Sequence, residues 1–334
     1  MLTAKPIELG SVTVPSGELV IVDTGYLGMW SGDSSPSYTD DKGELRPCVD
    51  FEIVGPDATV AATSFDRQPG RWLYDIPEHG VVGFTALFAE HCRSHGLRAD
   101  LVLVEPAVSH RERVRRCAAG DSFLMMGVPV VVLGSLPRER ALPVVGHEKV
   151  FDFGIGWESV TIEVNDGTIA QRQLLGKVGV DWARIMLADA DGLSAWVHEE
   201  PLDGLADAVF WGGSDATAAA VELRAPAVAN ELSKYGWLDL PVHEAVARIH
   251  EIEGWKQARP GRRLAWDFRP HSHHWQIMRQ IDRSPHEAGQ IEVGGAQVLT
   301  FMTSWGDGFF SVYAERTEDG ALLRVRIELI PADS

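Results

Sequence analysis

The chain has 334 residues, enough for about two domains of ordinary size or one large domain. Its 30 Lys and Arg residues against 48 Asp and Glu give a formal net charge of −18, which argues against nucleic-acid binding, because that binding depends on basic surfaces. No run approaches the ~18 apolar residues of a membrane span, no apolar leader opens the chain, and the three scattered cysteines form no zinc or disulfide pattern, so we expect a cytoplasmic protein that contacts neither nucleic acid nor membrane.

The first half of the chain predicts strands near its ends and helices between them. The apolar spacing over 81–96 predicts a helix that ends at Gly96, a residue type that favours the left-handed conformation after a helix. Buried strands are indicated by short apolar runs at 18–23, 99–105 and 128–134. A basic helix is expected between the last two of these runs.

The second half predicts the same mixture of elements. Apolar residues recur at helical spacing over 240–254, which indicates one buried helix face. The chain closes on two apolar arms that flank Asp319 and Gly320, and an Asp-Gly pair in that position favours a tight hairpin turn.

Two pairs of segments match each other in the same order along the chain. Residues 10–30 align with 176–196 without a gap, at a spacing of 166 residues, and residues 153–167 align with 304–320. In the first match the identical pairs are Gly10/Gly176, Val12/Val178, Val14/Val180, Asp23/Asp189, Leu27/Leu193 and Trp30/Trp196. Two matches in one order predict an internal duplication.

The predicted fold class is therefore α+β, with two β-rich units that carry helical insertions and pack as one compact, pseudo-symmetric body. We expect the first copy to span 1–170 and the second copy to span 171–334, each β-rich with a helical middle.

The loop 303–310 holds Asp307 between Gly306 and Gly308. The glycines permit positive φ and close approach, so an aspartate there can bind a cation or act as a base. The alternative is a turn in which the carboxylate accepts backbone N–H groups. The first copy has Ile155 at the aligned position, which favours a polar role that belongs to the second copy alone.

The segment 266–275 concentrates acid–base and metal-binding side chains. They are Asp267, Arg269, His271, His273 and His274. Converging imidazoles bind transition metals, so the aspartate and the three histidines are candidate ligands for a divalent metal, although no spacing here matches HExxH. The alternative is a helix that begins after Ser272, with the histidines over its first turn in a core or solvated position.

Two further features have structural and functional interpretations. The basic stretch 110–116 could bind phosphate or carboxylate through a fork that includes Arg111 and Arg115, or it could form a solvated helix face. Asp23 and Asp189 end the opening strand in both copies, which favours a cap or turn role over chemistry. The chain lacks GxGxxG after a strand, GxxxxGK[ST] and GxSxG, so no nucleotide cofactor is expected.

The two ends of the chain resemble a group of bacterial and phage proteins of unassigned function. The opening pattern of that group, SGxLxxxDPxY, is matched by Ser16, Gly17, Leu19, Asp23 and Tyr26, with Thr24 in place of the proline. Its closing hairpin pattern, GDGx[YF]xV, is matched by Gly306, Asp307, Gly308, Phe310 and Val312. The resemblance covers about 50 residues directly, and it implies an architecture without transferring an activity.

Two functions remain open on these residues. The first is a bacterial small-molecule enzyme of hydrolase or lyase type, in which Asp307 and His273 or His274 form an acid–base pair or a metal site in the second copy. Trp275, Trp305 and Arg269 would then line the ligand site. The second is an acidic ligand- or protein-binding module, such as a toxin-immunity protein, whose charge attracts basic partners. The partner is a small molecule or a protein, and the sequence leaves the oligomeric state open.

Overall fold

A computed structural model of the chain describes residues 5–40, 42–68, 70–118, 122–152, 154–229 and 231–330. The chain divides into two compact units. Unit 1 comprises Met1–Trp196 together with Ala288–Ser334, and unit 2 comprises Val197–Glu287. Helices and several sheets occur together, so the predicted α+β class is confirmed, whereas the copy boundary at 170/171 stays a prediction.

The strands and helices follow one another along the whole chain. In chain order, the strands are β1 (Lys5–Val12), β2 (Leu19–Asp23), β3 (Ser37–Thr39), β4 (Leu45–Val54), β5 (Trp72–Pro77), β6 (Asp100–Val104), β7 (Phe123–Met125), β8 (Val128–Leu133), β9 (Leu142–Phe151), β10 (Gly154–Glu163), β11 (Gln171–Val180), β12 (Arg184–Asp189), β13 (Leu205–Trp211), β14 (Lys234–Pro241), β15 (Ala265–Pro270), β16 (Ala288–Val293), β17 (Ala296–Met302), β18 (Gly308–Arg316) and β19 (Leu322–Glu328). The helices are α1 (Ala58–Ser64), α2 (Val81–His95), α3 (His110–Ala118), α4 (Ser214–Leu223), α5 (Val242–Gln257) and α6 (His273–Arg283).

Several of these elements confirm the sequence predictions. Helix α2 ends as expected, with Gly96 at φ +67°. Helix α5 forms where a helix was predicted over 240–254, but residues 240 and 241 belong to β14 and the helix continues to Gln257. Strand β6 forms where it was predicted but is not buried, because it lies at a sheet edge and pairs with β4 alone among the described strands. Among the described residues, no helix combines the length and the apolar character needed to cross a bilayer.

Unit 1 is built on two six-stranded sheets whose apolar faces share one core. The first sheet has the order β1-β9-β10-β19-β18-β11, and the second has the order β16-β17-β12-β2-β8-β7. Side chains of both sheets contribute to a single buried cluster. Alternation along β18 shows how the strand is half-buried, because Phe310 is fully buried while Phe309 is 59% exposed.

Strands β2 and β12 pair antiparallel in the middle of the second sheet. Leu19 lies opposite Asp189, and Asp23 lies opposite Ile185, the residue 166 positions after Leu19. Residues that the sequence match relates therefore exchange places across this strand pair. The second sequence match does not fit this exchange. It aligns β10 with β18, but β18 pairs with β11 in the way that β9 pairs with β1, so the counterpart of β18 is β9. Strands β10 and β18 occupy different places in the sheet.

Each unit also contains a segment in which three strands alternate with three helices. We call β4 to α3 the first βα segment and β13 to α6 the second βα segment. In both segments the first strand lies between the second and the third, and both pairings are antiparallel. Both also have an irregularity between the first two strands, at Val49/Phe51 and at Ala206/Ala208. The two segments thus share one topology.

Candidate functional site

Two aspartates lie side by side in the second βα segment. Asp207 belongs to the central strand β13 and is 2% exposed. Asp239 occupies the irregularity of β14 with φ +55°, and its backbone N–H donates to Asp207 Oδ1 at 2.9 Å. Positive φ is costly for a residue with a Cβ atom, so this conformation must be held by its surroundings. It leaves the Asp239 carboxylate 64% exposed beside the buried carboxylate of Asp207.

His271 follows strand β15 and lies among three carboxylates. Its Nδ1 is 2.9 Å from Asp203 Oδ2, and its Nε2 is 3.1 Å from Asp207 Oδ1 and 3.5 Å from Asp239 Oδ1. Arg279 of α6 donates to Asp207 Oδ2, and its Nη2 lies 3.4 Å from His271 Nε2. One imidazole and one guanidinium therefore face three carboxylates.

The surroundings of His271 favour its charged form. Burial lowers the pKa of the imidazole, but the hydrogen bonds with Asp203 and Asp207 outweigh this effect, and the net pKa is raised above the usual value of 6.5. The reason is that an unprotonated Nε2 would direct its lone pair at carboxylate oxygens. For Asp203, burial raises the pKa, but the hydrogen bond from His271 outweighs it and the net pKa is lowered. These contacts therefore favour the protonated imidazole over the neutral ring.

An open cavity of about 270 Å3 adjoins this cluster, and we call it the His271 cavity. Its lining residues are Asp203, Leu205, Asp239, His271, Trp275, Gln276 and Arg279. The indole of Trp275 and the side chain of Leu205 supply apolar wall, and the remaining groups converge as hydrogen-bonding or charged groups. A mostly concave site with a few converging polar groups is typical of a small-molecule site.

A divalent metal fits only part of this arrangement. One ligand atom each of Asp207, Asp239 and His271 lies within 4.8 Å of the others. Ligands of one Zn2+ ion lie about 3.0 to 3.5 Å apart, as the Nε2–oxygen distances do. However, the guanidinium of Arg279 beside Nε2 opposes a second positive charge at that position.

The structure places the other histidines of this segment at the start of α6. Ser272 caps the helix by accepting a hydrogen bond from the Trp275 backbone N–H, so the helix start predicted from the sequence is confirmed. His273 Nδ1 accepts a hydrogen bond from the Val197 N–H at 2.9 Å, and burial lowers its pKa, which favours the neutral ring. The His274 ring packs against the His198 ring at 4.3 Å between ring centroids, with the two planes tilted by 33°. Neither histidine joins the carboxylates around His271.

Arg269 and Asp267 lie on β15 and form a neighbouring ion cluster. Arg269 Nη1 is 3.0 Å from Glu231 Oε2, and its Nη2 is 3.3 Å from Asp267 Oδ2. The guanidinium carbon of Arg269 lies 5.3 Å from the ring centre of Trp275. Of the residues singled out in the sequence, the structure therefore brings Arg269, Trp275 and His271 to the same side of unit 2.

Asp307 and Trp305 belong to unit 1. The exposed carboxylate of Asp307 accepts a hydrogen bond from the Ala183 N–H at 3.1 Å. The indole N–H of Trp305 donates to the carbonyl of Trp157 at 3.2 Å, and its ring packs edge-on against Phe151. Both contacts are of the kind that fixes a loop. A joint role of Asp307 with His273 or His274 stays a prediction.

The first βα segment contains the same aspartate pair in a closed form. Asp75 has φ +57°, and its N–H donates to Asp50 Oδ1 at 2.9 Å, as Asp239 does to Asp207. Here, however, the guanidinium of Arg113 forms two hydrogen bonds to Asp75, at 2.7 and 2.8 Å, and lies 3.5 Å from Asp50. Arg113 is fully buried and Asp75 is 4% exposed, so this pair is closed off from solvent. For the stretch 110–116 the sequence predicted either a fork that binds phosphate or a solvated helix face. Arg113 belongs to neither, because it is buried and paired with Asp75.

The helices that follow the two pairs can be aligned through their first residues. His110 Nδ1 accepts the Ser31 N–H at 2.9 Å, just as His273 accepts the Val197 N–H, and both histidines open their helix. The third residue after His110 is Arg113, and the third residue after His273 is Gln276. The second βα segment therefore has a glutamine, at the cavity wall, where the first has the buried arginine.

Sequence reasoning missed the aspartates and Arg279, although a signal was present. Asp75-Ile76-Pro77 recurs as Asp239-Leu240-Pro241, and Ser109-His110 recurs as Ser272-His273. These short matches lie at spacings other than 166, so a gap-free comparison does not reveal them.

Comparisons with protein-family models, with curated proteins and with solved structures each found no match for this chain. The resemblance of the two chain ends to bacterial and phage proteins therefore stays an expectation of the sequence.

Proposed function

We propose that this protein is a small-molecule enzyme of hydrolase or lyase type whose reaction site is the His271 cavity in unit 2. One observation carries the proposal. The same strained aspartate pair is closed by a buried arginine in the first βα segment, whereas in the second it adjoins an open cavity and a histidine paired with carboxylates. Perturbed titratable groups in a cavity are typical of acid–base sites.

The residues support acid–base chemistry in distinct roles. His271 in its protonated form would donate a proton to a leaving group and recover it from water or substrate. Asp207 is buried and fixed by the Asp239 N–H and by Arg279, so it holds the imidazole in place. Asp203 is exposed, so its hydrogen bond with His271 Nδ1 can break without leaving a buried, unpaired carboxylate. Arg279 would stabilise negative charge that develops on the substrate.

The test is to look for a compound that the protein consumes. The full chain is incubated with a cell-extract pool of small metabolites, and the pool is followed by mass spectrometry. We expect at least one compound to be consumed by the wild type and to persist with His271→Gln, whereas His250→Gln, an exposed histidine on α5, should behave as the wild type. Consumption that survives His271→Gln would contradict the proposal.

The alternative function is an acidic ligand- or protein-binding module, and one observation favours it. Asp203 and Asp239 are 49% and 64% exposed in a chain of net charge −18, so a basic ligand would be attracted without any reaction. In the same experiment, a compound retained by the protein but left chemically unchanged would support the module over the enzyme.

The internal duplication is proposed on two grounds as well. Residues related by the spacing of 166 exchange places across β2 and β12. The two βα segments share topology, an aspartate pair and a histidine that opens a helix and accepts a backbone N–H from another segment. The second sequence match, between 153–167 and 304–320, does not contribute, because its strands occupy different places.

A further inference from the structure

We propose that the ligand of the His271 cavity carries a guanidinium or ammonium group, which binds at Asp239 and Asp203 against the ring of Trp275. The inference deepens the proposed function by naming the substrate class, and it rests on that proposal in taking this cavity as the reaction site. In the first βα segment the same arrangement holds a guanidinium that the chain itself supplies.

The first βα segment shows what this aspartate pair can bind. Arg113 engages both oxygens of Asp75 at 2.7 and 2.8 Å in a bidentate pair and reaches Asp50 at 3.5 Å. Its guanidinium also lies 4.1 Å from the ring centre of Tyr74. A bidentate carboxylate contact and an aromatic face are the two features that guanidinium recognition uses most.

The second βα segment keeps the carboxylates but lacks the arginine at the aligned position. Gln276 stands there, and it is neutral and shorter. Arg279 does not replace Arg113, because its guanidinium pairs with Asp207 and, among the described residues, no arginine or lysine forms an ion pair with Asp239. Asp239 is instead 64% exposed at the cavity wall.

The charge of the cavity favours a cation. Three carboxylates, those of Asp203, Asp207 and Asp239, stand against Arg279 and His271, so at least one negative charge is left in excess even when His271 is protonated. The indole of Trp275 lines the same cavity, and the face of an indole ring attracts cations. A singly charged organic cation would therefore balance the site.

The first experiment compares two probes of nearly equal shape. Binding of N-butylguanidinium and of N-butylurea to the full chain is measured by calorimetry or by protein-detected NMR. We expect the guanidinium to bind at least tenfold more tightly than the urea. Asp239→Asn should weaken the guanidinium at least tenfold. Asp282→Asn, an exposed position on α6 outside the lining of this cavity, should not weaken it.

The second experiment restores the arginine of the first βα segment. Gln276→Arg should place a guanidinium on the Asp207–Asp239 pair, abolish binding of N-butylguanidinium and raise Tm. Gln276→Met, which fills similar space without charge, should leave Tm lower than Gln276→Arg does. Both variants lie on a helix wall rather than in the core, so folding is retained.

Three results would overturn the inference. They are equal binding of the two probes, no binding of either, or unchanged binding in Asp239→Asn. Stabilisation by Zn2+ or Mn2+ that is lost in Asp239→Asn, without guanidinium binding, would also overturn it and identify a metal ion as the cation. The enzyme proposal fails separately. A His271-dependent reaction of an uncharged compound would support the proposed enzyme function and contradict the proposed ligand class. Guanidinium binding without any reaction would support the ligand class and contradict the enzyme function.

Discussion

Asp23 and Asp189 perform the same task on opposite sides of the β2–β12 strand pair. Asp23 accepts the Gly25 N–H with Oδ1 and the N–H groups of Asp181 and Trp182 with Oδ2. Asp189 accepts the N–H groups of Asp191 and Gly192 with Oδ1 and both the N–H and the hydroxyl of Ser16 with Oδ2. Each carboxylate thus closes its own turn and fixes the loop that precedes the other strand, as the predicted cap or turn role requires.

Replacing either aspartate by alanine should destabilise unit 1. The backbone N–H groups that it satisfies would lose their acceptor, and a buried unsatisfied donor costs about 1–3 kcal/mol. We expect each of Asp23→Ala and Asp189→Ala to lower the free energy of unfolding by that order, measured by urea denaturation. Asp33→Ala, at a side chain 77% exposed, is the control and should change it by less than about 0.5 kcal/mol. A loss no larger than that of the control would contradict the shared role.

Arg113 should be among the most sensitive positions of the chain. Its removal leaves Asp50 and Asp75 as buried charges, and breaking a buried ion pair in this way costs about 3–5 kcal/mol. Arg113→Met keeps most of the volume and removes the charge. Arg115→Met, on an exposed face of the same helix, should cost less than about 1 kcal/mol. Equal effects of the two substitutions in urea denaturation would show that the buried network contributes nothing to stability.

Unit 1 should lose stability as the pH falls below about 6.5, in part through His110. Burial lowers the pKa of His110 in the folded state, and the nearby Arg113 adds to this effect although Asp75 opposes it. Below pH ~6.5 the unfolded chain therefore binds a proton that the folded state resists, so stability falls as the pH falls.

The His110 contribution is isolated by comparison with His110→Gln, which keeps an acceptor for the Ser31 N–H. Urea midpoints at pH 7.5 and 5.5 should differ more for the wild type than for this variant. Other titrating groups contribute equally to both proteins. An identical pH dependence would mean that His110 does not resist protonation.

The two phenylalanines at the start of β18 form a matched pair for the core of unit 1. Phe310 is fully buried between the sheets, and Phe309 points the other way with 59% exposure. Phe310→Ala should cost about 3–5 kcal/mol, because it loses burial and leaves a cavity. Phe309→Ala should cost less than about 1 kcal/mol. A reversed order in thermal or urea denaturation would contradict the register of β18.

The sequence by itself determined the elements whose signals are local. Gly96 ends α2 because a left-handed residue closes a helix, and Ser272 starts α6 because its side chain caps the first turn. It also indicated that Asp23 and Asp189 act in turns, because both ends of the match keep them. Each of these signals depends on neighbours within a few residues.

Only the tertiary structure decided the candidate site. Asp203, Asp207, Asp239, His271 and Arg279 come from different strands, helices and turns, and strand pairing with a bulge at Asp239 brings them together. The sequence separation between His271 and its partners does not indicate that they meet. His273 and His274 are more conspicuous in the sequence, but they contact other neighbours. Gln276 borders an open cavity, whereas Arg113 fills the equivalent space in the first βα segment. This difference follows from packing, because one side chain decides whether the space beside the aspartate pair is filled or open.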